Sequence, residues 1–146
     1  MIQHALYYSI KGEIETLDIF EKAFAWHLFA DWILQNDYMA RNKANYVPFP
    51  SRPNHEGDGP LLLIPHPAAW VHSGIHLVGL LFIFPWWMAV LIAISHLLID
   101  LRFPLVWWRK FYKQTVTGDV ALHVAIWGDQ VAHITILAIA ALIIGR

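Results

Sequence analysis

Histidine and aspartate recur four residues apart in stretches that are otherwise oily. "SHLLID", residues 95–100, closes the run "PWWMAVLIAI" and sets His96 and Asp100 four apart. "HLFAD" repeats the spacing with His27 and Asp31 and "HSGIH" with His72 and His76, while over residues 119–133 Asp119, His123, Gln130 and His133 fall on one face with Asp129 beside it. Residues at this spacing share one face of a helix. Imidazole and carboxylate together suit zinc, iron or manganese better than a soft ion. Facing helices of a bundle commonly build metal sites from such pairs. The candidate ligands are therefore His27, Asp31, His72, His76, His96, Asp100, Asp129 and His133. The expected cofactor is a divalent metal, zinc first, with iron or manganese as alternatives. Asp31, Asp100 and Asp129 are also the candidate catalytic groups, as water-activating bases or as partners that fix histidine tautomers.

One such pair, taken alone, is as readily a polar contact between helices, worth about 0.6 kcal/mol on average. Four stripes at one depth make the stronger signal, because ionisable groups inside a membrane are costly and mark functional sites. Asp119 and His123 extend the His133 stripe, yet near a helix start they read equally as a cap and an interfacial neighbour. His4, His55 and His66 fall in terminal or loop sequence and read as bystanders.

The elements that would position these residues follow from hydropathy and breakers. Helices are expected over residues 16–37, 68–84, 85–101 and 119–144. Residues 68–101 could be one long helix kinked at Pro85, but a hairpin is preferred, with Pro85 opening its second arm. Arms of this length sit near the lower limit for crossing a ~30 Å hydrocarbon core. His72 and His96 lie at similar distances from the turn and so at one level. The apolar fraction is 58%, against about 45–50% in soluble domains. Eight Trp, eight Phe and five Tyr would furnish interfacial belts. The expected fold is all-α: one integral-membrane domain over residues 1–146, a four-helix bundle with short transmembrane helices.

Several classes are excluded. A net charge of −1 and the lack of a long basic run argue against nucleic acid. With no cysteine, thiolate ligands and disulfides are impossible. "MIQHALYYSIKGEIETLD" lacks the basic-then-apolar order of a signal peptide. Residues 44–67 read as a Pro-rich loop and residues 102–118 as a basic, aromatic, interfacial one. These loops are the expected contacts for membrane lipids and for partner subunits. Arg41, Lys43, Arg52, Arg102, Arg109, Lys110 and Lys113, seven of ten positives, flank or fill them. The positive-inside rule places that side in the cytoplasm and both termini outside, as in a multi-pass inner-membrane protein.

"HLFADWILQNDYMARNK", "WVHSGIH", "HLLIDLR" and "GDQVAH", in that order, resemble the bacterial and phage membrane-protein family catalogued as domain of unknown function 3307. The resemblance covers residues 24–43 and 68–135. It places the family's polar positions on His27, Asp31, Gln35, His72, His76, His96, Asp100, Asp129, Gln130 and His133. Asp119 and His123 have no place in it, and the loop over 44–67 is longer than the family implies, as a partner-binding insertion would be. The resemblance carries no activity, although it is similar in character to the membrane-bound metal-dependent hydrolases. The expected function is metal-dependent hydrolysis of a lipid or phosphoester near the cytoplasmic face. The alternatives are a non-catalytic accessory subunit of a membrane complex, haem binding, and a proton or ion pathway.

Overall fold

Ion pairs, caps and prolines explain where each element begins and ends. The computed structural model describes residues 2–48, 63–114 and 119–145. Helix α1 (Ile2–Phe29) starts well before the expected residue 16. Glu15 and Asp18, acidic residues around the expected start, lie inside it and pair at i,i+4 with Lys11 (3.7 Å) and Lys22 (2.6 Å). Such pairs support a helix interior as well as an acidic first turn does. The helix then widens into a π turn over Ala30–Leu34, and Gln35 is extended at φ −80°, ψ 118°. The expected helix over 16–37 therefore breaks after residue 34. Asn36 starts the next helix, α2 (Asp37–Asn42), by accepting a hydrogen bond from the Met39 amide at 2.9 Å.

Strands β1 (Tyr46–Pro48) and β2 (Leu63–Pro65) pair antiparallel, with Tyr46 opposite Pro65, and gather the two ends of the Pro-rich loop. Residues 49–62, the bulk of the proposed partner-binding insertion, lie outside the described residues. His66 caps α3 (Pro67–Leu80), its Nδ1 accepting from the Ala68 amide at 3.1 Å. After a turn, Pro85 precedes α4 (Trp86–Asp100). The hairpin forms, but its arms have 14 and 15 residues rather than the 17 expected from 68–84 and 85–101. At 1.5 Å per residue each is roughly 21–22 Å long. Arg102, at φ 60°, turns the chain into α5 (Phe103–Phe111), within the stretch expected to be loop. Helix α6 (Asp119–Ile144) completes the protein.

Helices α1, α3, α4 and α6 pack side by side. Ala23, Leu80, Phe84, Met88, Ile92 and Leu137 form an apolar core toward the hairpin turn. Gly79 is part of it because a Cβ there would overlap the Trp26 indole. That indole in turn donates from Nε1 to the His76 carbonyl at 3.2 Å. Ser73 Oγ donates to the Ala93 carbonyl at 2.7 Å and ties α3 to α4.

The outer surface exposes many large apolar side chains. Trp32, Phe82, Trp86 and Trp127 are exposed, as are Leu91, Ile94, Leu98, Val131 and Ile139, while the histidines of the stripes face inward. Among the described helices, α6 from His123 to Ile144 is long and apolar enough to cross a membrane by itself.

Candidate metal centre

Each inward-facing helix contributes its polar stripe to one buried cluster. The π turn rotates Asp31 inward from the end of α1; such turns widen a helix by one residue and frequently sit at functional sites. Asp31 Oδ1 lies 3.0 Å from His76 Nε2 and 3.1 Å from His72 Nε2. Its Oδ2 accepts from Gln130 Nε2 at 3.1 Å. From α4, Asp100 Oδ2 stands 3.2 Å from His96 Nε2 and 3.5 Å from His72 Nε2. His72 Nε2 thus lies between two carboxylates borne by different helices. The ring centroids of His76 and His96 are 3.7 Å apart, and those of His96 and His133 4.2 Å. His72 and His96, matched in depth by their distance from the hairpin turn, have ring centroids 5.1 Å apart.

Two overlapping groups have ligand atoms close enough to share an ion. Asp31, His72, His76 and His96 form one, and His96, Asp100 and His133 the other, with atoms within 4.8 Å in each. Their side chains come from four separate elements, and all are buried. Buried polar atoms normally find partners. Here His133 Nδ1 and Nε2, His96 Nε2 and His72 Nδ1 make no hydrogen bond of good geometry among the described residues. Convergent imidazole nitrogens that lack a well-formed hydrogen bond, beside carboxylates, are what a divalent cation satisfies. The donor set is nitrogen and oxygen, which fits zinc, iron or manganese.

The other expected site residues stand at the edges. His27 lies 3.6 Å from Asp31 Oδ2 and donates from Nε2 to Gln130 Oε1 at 3.3 Å. It buttresses the carboxylate and belongs to neither ligand group. Asp129 Oδ2 is 3.7 Å from His133 Nδ1, and its side chain is 22% exposed. That position suits a partner of His133 better than a ligand of the shared ion. His123 is exposed and outside the cluster, and the Asp119 side chain lies outside the described residues. The centroid spacing of 3.7 Å between His76 and His96 leaves no room for a porphyrin between them. A small cavity of about 10 Å³ touches His27, His76, His96 and His133, room for about one water-sized sphere.

Sequence reading missed Lys43. It follows α2 in a stretch counted only for its positive charges, yet its Nζ reaches inward to 2.9 Å from Asp100 Oδ1 and 3.3 Å from His72 Nε2. A basic residue within helical reach of a carboxylate-rich centre is the sole sequence signal it gave. The ammonium balances one of two buried carboxylates, and its charge opposes a dication at the same place. Lys43→Met is expected to tighten zinc binding by about tenfold or more, and to lower thermal stability until zinc is added. Isothermal titration and melting curves with and without zinc measure both.

Fold and site together define a mostly helical protein carrying a buried His/Asp cluster of metal-binding geometry. No family model, curated protein or solved structure significantly matches this chain.

Proposed function

We propose that the chain is an integral membrane metalloprotein, a member of the family it resembles, and that it hydrolyses a lipid or phosphoester at the cytoplasmic membrane surface. The observation that carries this reading is a buried polar cluster in a bundle whose outer face is largely apolar. Imidazoles and carboxylates from α1, α3, α4 and α6 converge inside an otherwise apolar bundle, whose outer face exposes Trp, Leu, Ile and Val. A lipid environment accounts for such a surface, since contiguous apolar patches on soluble monomers are small. The short α3–α4 hairpin would enter the bilayer partway or thin it locally, beside a spanning α6. Asp31, His72, His76, His96, Asp100 and His133 would hold one or two ions. A bound divalent ion supplies Lewis-acid charge stabilisation and lowers the pKa of water. The protein's own contribution is to orient these ligands through His27 and Gln130, and to keep Lys43 and Asp129 at the more accessible edge, where a phosphoester would meet them.

Elemental analysis of the purified protein tests the metal. About one or two zinc, iron or manganese per chain is expected, falling on chelation together with any phosphoesterase activity, and recovering on adding the metal back. Protein free of metal after purification without chelator, and activity indifferent to chelation, would remove this reading. The closed centre favours a second reading, because a cavity of about 10 Å³ admits an ion or a water and no substrate. In that case the ion braces an accessory subunit of a larger membrane complex. Stoichiometric metal, no turnover of any phosphoester, and co-purification of a stable partner would identify it.

A further inference from the structure

Immediately outside the metal centre lies a feature of different chemistry. Tyr46, Leu101, Arg102, Val106, Trp107 and Lys110 line an open groove of about 390 Å³. Its walls come from β1, from the two residues that leave α4, and from one face of α5, where Val106 and Lys110 stand one helical turn apart. Arg102 adopts the left-handed region at φ 60°, uncommon for a residue other than glycine. Beyond it α5 runs at 59° to α4, which opens the groove.

Charge and exposure specify the occupant. From residue 101 to 114 the chain holds Arg102, Arg109, Lys110 and Lys113 and no acidic residue. Trp107, stacked on Phe111 at 5.5 Å, is 61% exposed and Tyr46 44%, so both present ring surface to an apolar partner. Guanidinium and ammonium groups bind phosphate, and Trp and Tyr prefer the depth of lipid headgroups. We propose that this groove binds the headgroup of an anionic phospholipid, its phosphate on Arg102 and Lys110 and its glycerol and first methylenes against Trp107 and Tyr46. The proposal rests on the membrane placement above and is independent of the metal. It also gives the bound phosphate a position beside the centre. Arg102 follows Asp100 by two residues and Tyr46 follows Lys43 by three, and Asp100 and Lys43 form the centre's edge ion pair.

Native mass spectrometry of the full chain in detergent, with equimolar phosphatidylglycerol and phosphatidylcholine, tests it. Each basic side chain near a lipid phosphate contributes roughly fivefold, so phosphatidylglycerol adducts should exceed phosphatidylcholine adducts by about tenfold or more. Arg102→Gln combined with Lys110→Gln should bring the two lipids close to parity, and Lys110→Glu alone, on an exposed side chain, should remove most of the preference. His72→Ala should lose metal and keep the lipid preference, which separates failure at the groove from failure at the centre. Equal retention of both lipids by the unaltered protein would overturn the proposal. So would an undiminished preference in both groove variants, or loss of phosphatidylglycerol adducts to equimolar inorganic phosphate, which would mark a plain anion site.

Discussion

Asp31→Ala is expected to cost the folded protein about 3–5 kcal/mol, the usual result of removing one partner from a buried charged cluster. One carboxylate here meets four side chains: His72 and His76 on Oδ1, with Gln130 and His27 on Oδ2. Its loss strands buried groups, and unsatisfied buried donors cost about 1–3 kcal/mol each. Metal content should collapse as well, with affinity falling by at least about a hundredfold, since even outer partners of metal ligands are worth 10–100-fold. Asp31→Asn keeps the volume and removes the charge. It should retain more of the stability and as little of the metal. Melting curves in detergent, paired with elemental analysis, measure both effects. Asp31→Ala protein that melts like the unaltered chain and carries the same metal would mean that Asp31 is not the hub of this cluster.

Gly79→Ala should be nearly as damaging, although it adds a single methyl group and removes no ligand. The new Cβ would fall within the Trp26 indole ring. An indole cannot move aside as the end of a lysine can. Displacing it also breaks the Trp26 Nε1 bond to the His76 carbonyl, 3.2 Å long, and pushes α1 away from α3. Overpacking costs about 1–3 kcal/mol, and the lost hydrogen bond adds about 1 kcal/mol. Since the π turn that continues α1 carries Asp31 and α3 carries His72 and His76, zinc affinity should fall together with stability. Pairing Gly79→Ala with Trp26→Phe, which shrinks the obstructing ring, should restore part of both. Gly74→Ala is the control, because a Cβ at Gly74 meets nothing within 4 Å. Equal stability of the two alanine variants would argue against close packing at Gly79.

Much of the candidate centre was legible in the linear chain, for a definite reason. A four-residue spacing fixes the face on which His72 and His76, or His96 and Asp100, must lie, whatever surrounds the helix. The apolar background makes that face the one to bury. Pro85 and the adjoining Trp residues mark the hairpin turn, and equal distances from a turn force His72 and His96 to one depth. The range 119–144 was legible from a long, mostly apolar run behind Gly118. The start of α1 was not, because an acidic residue stabilises a first turn and an i,i+4 pair alike, and only the Lys partners' geometry tells them apart. The π turn was also hidden, since the hydrogen-bond shift that widens a helix leaves no mark in hydropathy.

The sequence by itself determined the inventory: nitrogen and oxygen ligands without sulfur, their helical faces, and an apolar exterior to hold them. Tertiary structure alone decided the grouping within that inventory. Asp31 and Asp100 meet across His72, Lys43 reaches in from just past the short helix α2, and His27 turns to Gln130 and becomes a support. The physical reason is that helical periodicity sets a side chain's direction about its own axis. Approach to about 3 Å depends on how the axes are rotated and spaced against each other. Here the Trp26–Gly79 contact and the turn at Ala30–Leu34 set that spacing.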